Sequence, residues 1–179
     1  MKKTFLLLFF LAQTAFAQVE KGVWLISGSA DLTSLKANGN SETQFDFTPK
    51  AGYFFTDRLL AGLSVSVGSN RIKESSKNKT TIDTERLLIV SPFARYYLPI
   101  SSVVYAWAEV SVGFGSFKVT QDDNVFSLSA SQFGLGPGIS FFLNENIAIE
   151  GMLRFSNTGL GGTTTRSKIG IFGGFQIYF

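Results

Sequence analysis

The feature that most constrains this chain is an alternation with a period of two, in which one side of each segment is almost purely apolar. In the C-terminal segment 168–179, Ile and Phe occupy most odd positions, whereas Lys, Gly, Gln and Tyr are among the even ones. Segments 147–155, 104–114 and 61–67 repeat the pattern. Two residues is the side-chain repeat of a β-strand, so the sequence predicts strands with one apolar face and one polar face.

Eight such segments can be placed along the chain. We predict strands near 23–32, 43–55, 59–70, 81–98, 103–114, 126–142, 147–156 and 168–179. Short turns at 56–58, 99–102 and 144–146 alternate with longer polar segments at 34–42, 71–80, 118–124 and 157–166. This order predicts an all-β fold, an eight-stranded antiparallel up-and-down transmembrane β-barrel. Short periplasmic turns, longer extracellular loops and two periplasmic chain ends complete the expected topology.

The apolar faces point outward into lipid in this interpretation. The main alternative is a soluble, secreted barrel of lipocalin type, whose apolar residues would point inward. Glycine and serine crowd the polar side at 62–68 and 132–140, and small residues suit the narrow lumen of eight strands. Aromatic residues gather near the predicted periplasmic strand ends, as in a membrane-interface belt. They are Trp24, Tyr53, Phe54, Phe55, Tyr96, Tyr97, Phe141, Phe142, Tyr178 and Phe179.

Charged residues on the polar side are balanced in sign, four acids against four bases. We predict that they form a charge network in the lumen: Asp31, Asp46, Lys50, Arg95, Glu109, Glu150, Arg154 and Lys168. Burying a charge without a partner costs several kcal/mol, so a closed lumen requires matched signs. Charges on a solvated surface, the simpler interpretation, would need no such balance.

The N-terminal residues have the pattern of a cleaved signal peptide. Lys2 and Lys3 precede an apolar run at 5–12, and a small-residue cleavage pattern follows at 15–17. The run is much shorter than the ~20 residues of a spanning helix. We therefore expect a signal peptide at 1–17 and one barrel domain at 18–179. Removing it leaves 14 of the 16 Lys and Arg against 13 acids, and a nearly neutral chain is not expected to bind nucleic acid.

Three segments resemble the small outer-membrane barrels of OmpX-like and OmpA-transmembrane-like type, and especially the outer membrane protein β-barrel family common in Bacteroidetes. They are 52–59 (GYFFTDRL), 91–99 (SPFARYYLP) and 136–143 (GPGISFFL). The resemblance implies a location in the outer membrane of a Gram-negative bacterium. It also implies that Phe175, Ile177 and Phe179 form the C-terminal signal read by the barrel-assembly machinery. The family shares no single activity, so the resemblance leaves the function open.

The residue types present exclude several kinds of chemistry. The chain has no His and no Cys, so a Ser-His or Cys-His nucleophile and imidazole or thiolate metal ligands are excluded. We therefore predict neither an enzyme nor a cofactor. The most basic predicted loop carries Arg71, Lys73, Lys77 and Lys79, which suit outer-membrane lipid and the phosphates of lipopolysaccharide.

The primary hypothesis is a non-enzymatic envelope-structural or interaction protein with a plugged lumen, such as an accessory subunit of an outer-membrane complex. Its protein partner is not specified by the sequence. A narrow pore, or a binder of a small ligand in the lumen, is the second hypothesis. The soluble ligand-binding barrel is the third.

Overall fold

The computed structural model describes residues 19–37, 40–76, 79–121 and 124–179, with side chains except at 35–37, 40, 74–76, 79–82 and 121. The described strands are β1 (Trp24–Ala37), β2 (Asn40–Thr56), β3 (Leu59–Ser76), β4 (Lys79–Pro99), β5 (Val104–Gln121), β6 (Asn124–Phe142), β7 (Ile147–Leu160) and β8 (Thr164–Tyr178). Each strand pairs antiparallel with the next, and β1 pairs with β8 to close the barrel. The described residues contain no helix long and apolar enough to cross a membrane. The predicted eight-stranded antiparallel barrel is confirmed. The predicted signal peptide lies outside the described residues.

The two ends of the barrel are distinguished by the chain termini. At the end called terminal here, Trp24 N donates to Phe179 O at 2.8 Å. The turns 57–58, 100–103 and 143–146 lie at the same end, close to the predicted short turns. The opposite end is called distal. There, Gly161 and Gly162 take the positive φ values of 57° and 77° that allow the tight turn from β7 to β8.

The prediction of long distal loops is wrong. β3 and β4 stay paired from Leu59–Tyr96 up to Ser76–Lys79, so most of the predicted loop at 71–80 is strand. The predicted loop at 157–166 likewise contains the end of β7 and the start of β8. The physical reason is that polar residues mark where a strand leaves lipid, not where its hydrogen-bond ladder ends. Strands of 14 to 21 residues exceed the ~9–11 needed to cross a bilayer, so the sheet continues beyond it.

The two faces of the wall differ in composition as predicted. Outward positions at mid-height are large and apolar, with Val110 40% exposed and Ile171 76% exposed. Inward positions hold small residues and charges. A Cβ on Gly136 would collide with the carbonyl oxygen of Leu153 on β7, so this position accepts only glycine without a shift of the wall. Outward apolar side chains and a crowded lumen are the arrangement of a barrel that sits in lipid.

Candidate functional site

Five charged side chains meet in the lumen and form what we call the terminal cluster: Lys50, Arg95, Glu109, Glu150 and Arg154. Lys50 Nζ lies 2.6 Å from Glu109 Oε1, and Arg95 Nη2 lies 2.7 Å from Glu109 Oε2. Arg95 Nη1 lies 3.0 Å from Glu150 Oε2. Arg95 therefore bridges two carboxylates on β5 and β7 that sequence alternation places on the same inner face.

Arg95 is the centre of this cluster. It is 1% exposed, and its guanidinium lies 3.6 Å from the ring centroid of Trp107. Its Nη1 also donates to the hydroxyl of Tyr97 at 3.1 Å. Arg154 is farther from Glu109, at 3.9 Å, and donates instead to Ser111 Oγ at 2.8 Å. A buried guanidinium that satisfies two carboxylates, a hydroxyl and a ring face holds the strands in one register.

An aromatic layer lies in the lumen between the terminal cluster and the terminal end. Phe54, Tyr97, Phe142 and Tyr178 point inward and contact one another, with ring centroids 4.9 to 6.3 Å apart. Val19, just before β1, is 4% exposed and packs against this layer. These four rings therefore do not belong to an interface belt, because alternation places them on the inner face.

Other aromatics of that set do face outward. Trp24, Phe55, Tyr96, Phe141 and Phe179 are 46 to 61% exposed at the terminal end. They occupy the outer positions that an interface belt requires. Phe175 and Ile177, with Phe179, also point outward, and their predicted role as an assembly signal stays a prediction.

Three of the predicted lumen residues form a separate group, the distal cluster: Asp31, Asp46 and Lys168. Lys168 Nζ lies 2.6 Å from Asp46 Oδ2 and 3.4 Å from Asp31 Oδ2. Its side chain is 34% exposed, compared with 2% for Lys50. The structure thus places all eight predicted residues on the lumen side, but in two clusters of different burial.

An ion pair between Glu85 and Arg166 was missed by the sequence analysis. Arg166 donates two hydrogen bonds to the Glu85 carboxylate, at 2.9 and 3.1 Å, across the lumen from β8 to β4. The polar sequence around Arg166 predicts a loop there, whereas the structure places the residue in β8. Its position two residues before Lys168 on the same strand face is the signal that would have found it.

The distal half of the lumen is an open cavity of about 280 Å³, which we call the vestibule. Hydroxyl and amide side chains form much of its wall, and Arg154 and Lys168 also line it. Phe117 and Phe172 add two ring faces, and Arg166 reaches over Phe117 at 5.1 Å. The vestibule therefore combines polar side chains with apolar and aromatic ones, and it lies on the distal side of the terminal cluster.

The predicted basic loop is also corrected by the structure. Arg71 and Lys73 lie in β3 and point outward, and Lys79 begins β4. Lys77 and the side chain of Lys79 are outside the described residues. Arg71 and Lys73 therefore belong to a strand extension and present their charge on the outer wall of the barrel. As for metals, the described part of the chain contains no group of three or more acids that could hold an ion.

Solved structures with the same architecture are outer-membrane barrels. Neisserial surface protein A gives a TM-score of 0.61 at 17% identity, covering 89% of this chain and 98% of that chain. The N-terminal β-barrel domain of OprF from Pseudomonas aeruginosa gives 0.56 at 11% identity, covering 89% and 98%. The outer membrane protein OprG from Pseudomonas aeruginosa gives 0.52 at 14%, covering 89% and 97%. At these identities the likeness shows the fold. A comparison with curated protein sequences finds no match.

The family is shown by the sequence itself. The profile of the family described as outer membrane protein beta-barrel domain matches residues 4–176, almost the whole chain. The resemblance predicted from the segments at 52–59, 91–99 and 136–143 is confirmed, whereas a Bacteroidetes origin stays a prediction. A closed barrel with an apolar outer face and a charged inner face agrees with this match. The chain belongs to the outer membrane protein β-barrel family.

Proposed function

We propose that this outer-membrane barrel is non-enzymatic and does not conduct ions, and that it serves an envelope-structural or interaction role. The observation that supports the closed lumen is the stack of the terminal cluster on the aromatic layer. Arg95, Tyr97 and Tyr178 are each at most 1% exposed, and they come from β4 and β8, two strands on opposite sides of the lumen. Side chains that meet across the axis leave no continuous water path at this level.

The direction of the barrel follows from the same proposal. Small outer-membrane barrels keep both chain ends in the periplasm, so the distal end and its vestibule face outside. The sheet extends past the lipid at that end, as β3 and β4 show. A rim built of strands that projects from the membrane suits contact with another envelope component, such as a larger complex to which this chain is an accessory subunit.

The test of the closed lumen is the conductance of the purified full-length barrel in planar lipid bilayers. We expect no unitary current from the wild type. Arg95→Ala combined with Tyr97→Ala removes the centre of the stack and should produce discrete openings. Lys21→Gln, an exposed change near the terminal end, is the control and should stay silent. Steady unitary currents from the wild type would contradict the proposal and favour a narrow pore.

The vestibule supports a second candidate function, the binding of a small polar ligand. Its wall combines the amide groups of Gln44 and Gln132 with the hydroxyls of Thr48 and Thr158 and the ring of Phe172. Such a mixture of hydrogen-bonding groups and ring faces suits a polyhydroxylated molecule. Arg166 and Glu85 at the wall would supply charged hydrogen-bonding groups to it.

This candidate is tested by mass spectrometry of small molecules released when the purified barrel is unfolded by heat. A bound ligand should be recovered from the wild type and lost from Thr158→Trp, which fills the vestibule. Asn157→Trp, its neighbour on the outer side of β7, is the matched control and should keep the ligand. Equal recovery from both variants would contradict binding in the vestibule.

A further inference from the structure

The signs of the charges differ between the two sides of the barrel wall. Among strand residues whose side chains the structure describes, every acid lies on the inner face by alternation and register: Asp31, Glu42, Asp46, Asp83, Glu85, Glu109 and Glu150. The outward charges in the same set are all cations, and we call them the basic wall: Arg71, Lys73, Arg86 and Lys118. Random surface charge would mix the signs, so this separation needs an explanation.

The basic wall lies directly above the lipid-facing belt. On β4 the outward series runs Val90, Leu88, Arg86, and on β5 it runs Phe114, Ser116, Lys118. Leu88 and Phe114 are 47% and 68% exposed, as lipid-facing side chains are. Counted along the outward face, Arg86 is the first residue beyond Leu88, and Lys118 is the second beyond Phe114. This is the level at which lipid headgroups meet the barrel.

The register brings these cations together. Arg86 and Lys118 are direct cross-strand partners, and Arg71 is the partner of Thr84, one outward position from Arg86. Direct cross-strand partners have Cβ atoms roughly 4.5–5.5 Å apart, and like charges there destabilise the sheet. Within the described residues, no ion pair involves any of the four cations. No described side chain therefore compensates the repulsion between them.

Among the described side chains, the patch is confined to one side of the barrel. At the same height, the described outward residues of β6 are Ser127, Ser129 and Ser131, and those of β8 are Thr165 and Ser167. A general attraction to an anionic surface would place cations around the whole circumference. Four cations on three adjacent strands, β3, β4 and β5, form a local site instead.

We propose that the basic wall binds the phosphate groups of a phosphorylated glycolipid in the leaflet at the distal end, whose acyl chains lie against Leu88 and Phe114. Arginine and lysine form short, charge-assisted hydrogen bonds to phosphate oxygens, and a phosphate between Arg86 and Lys118 relieves their repulsion. The apolar belt directly below supplies the surface for the chains. A free anion would make no contact with that apolar belt, whereas the acyl chains of a lipid would, so the site is assigned to a lipid.

A lipid ligand is expected because the barrel lies in a membrane. Lipid binding at the basic wall does not depend on whether the lumen conducts ions. Lipid binding and the conductance test above can therefore succeed or fail separately. The proposal also moves the expected lipopolysaccharide contact from a loop to the outer wall. Two of its cations, Arg86 and Lys118, were not in the predicted set.

The test is native mass spectrometry of the folded full-length barrel in a neutral detergent, titrated with bisphosphorylated lipid A. Arg86→Gln combined with Lys118→Gln should weaken retention of lipid A by about tenfold or more, because each cation near a lipid surface contributes measurably to binding. Lys21→Gln, which removes one cation near the terminal end, is the control and should bind as the wild type does. Unchanged heat-modifiable gel migration confirms that the variants are folded.

Charge reversal at Arg86 distinguishes lipid binding from a purely structural role, because it should change the melting temperature and lipid A binding in opposite directions. Arg86→Glu creates an opposite-charge pair with Lys118, so it should raise the melting temperature of the lipid-free barrel while weakening lipid A binding. In the wild type, added lipid A should raise the melting temperature, and in Arg86→Glu it should not.

Three results would overturn the proposal. Equal retention of dephosphorylated lipid A would show that the acyl chains alone are bound. Equal loss of binding in Lys21→Gln would show an effect of net charge. Saturation of the site by inorganic phosphate without lipid, with the same stabilisation, would assign it to a free anion.

Discussion

The two halves of the lumen hold similar charged groups in different surroundings. In the terminal half, Lys50 and Glu109 are each 2% exposed and pair at 2.6 Å. In the distal half, Lys168 and Asp46 pair at the same distance, but their side chains are 34% and 21% exposed. The second pair is partly exposed and is therefore screened by solvent, whereas the first is enclosed by side chains. Burial, and not the distance within the pair, therefore decides how much each cluster contributes to the stability of the barrel.

The charge balance of the lumen also has to be considered across both halves. The terminal cluster has three cations, Lys50, Arg95 and Arg154, and two carboxylates, Glu109 and Glu150. The distal cluster has the opposite excess, with one cation and two carboxylates. Arg154 lies between them and lines the vestibule. The balance predicted from the sequence therefore holds for the eight residues together and not for either cluster alone.

The largest effect is expected in the terminal half. Glu109→Ala leaves Lys50 and Arg95 without their shared carboxylate in a buried site, and losing one partner of such a pair costs about 3–5 kcal/mol. The free energy of unfolding in urea, measured in phospholipid vesicles, checks this. A loss below about 1 kcal/mol would show that the terminal cluster is hydrated and would remove the contrast between the halves.

The outer face gives the next largest effect. Val110→Arg places a charge on the lipid side of β5 near mid-height and should cost about 2–4 kcal/mol. Ser116→Arg on the same strand face, close to the basic wall, should cost about 1 kcal/mol or less. The same unfolding measurement compares the two. Equal costs would contradict the position of the lipid boundary, and a harmless Val110→Arg would support a soluble barrel.

The tight packing of the inner wall predicts an intermediate effect. Gly136→Ala should destabilise the barrel by about 1–3 kcal/mol, because its methyl group meets the backbone of β7 and the strands must shift. Gly173→Ala is the matched control, since a Cβ there has no heavy atom within 4 Å. Thermal unfolding followed by gel mobility separates them. If neither substitution changed the stability, β6 and β7 would not be tightly packed at Gly136.

The smallest effect is expected in the distal half. Asp46→Asn removes one of the two carboxylates that hold Lys168, but the pair is partly exposed and Asp31 remains. A change of less than about 1 kcal/mol follows for such a screened pair. Measured beside Glu109→Ala, this variant completes the comparison. If both losses were similar, burial would not be the deciding factor.

The sequence predicted the number of strands, their direction and the face of each predicted lumen charge. It did so because a period of two is enforced wherever one side meets lipid and the other a narrow lumen. Glu109 and Glu150 could be assigned to the inside for this reason. Alternation carries this information residue by residue, without any knowledge of tertiary contacts.

Strand lengths and partners could not be predicted in the same way. Arg166 lies in a polar stretch, and polarity alone does not separate a loop from a strand that extends into water. The division of the lumen charges into two clusters depends on the stagger of the strands, which alternation leaves undetermined. The basic wall also needed the register, because Arg86 and Lys118 are 32 residues apart in sequence and become neighbours only through the pairing of β4 with β5.

The central claim is that the lumen is open to the outside in its distal half and sealed in its terminal half. Substituted cysteines test it directly, because the natural chain has no Cys. Three positions on β7 suffice: Ser156→Cys in the vestibule, Ala148→Cys at the aromatic layer and Leu153→Cys on the lipid face. A membrane-impermeant maleimide added to intact cells should label Ser156→Cys alone, and should label the other two only after the barrel is unfolded. Labelling of Ala148→Cys in intact cells, or protection of Ser156→Cys, would contradict the account.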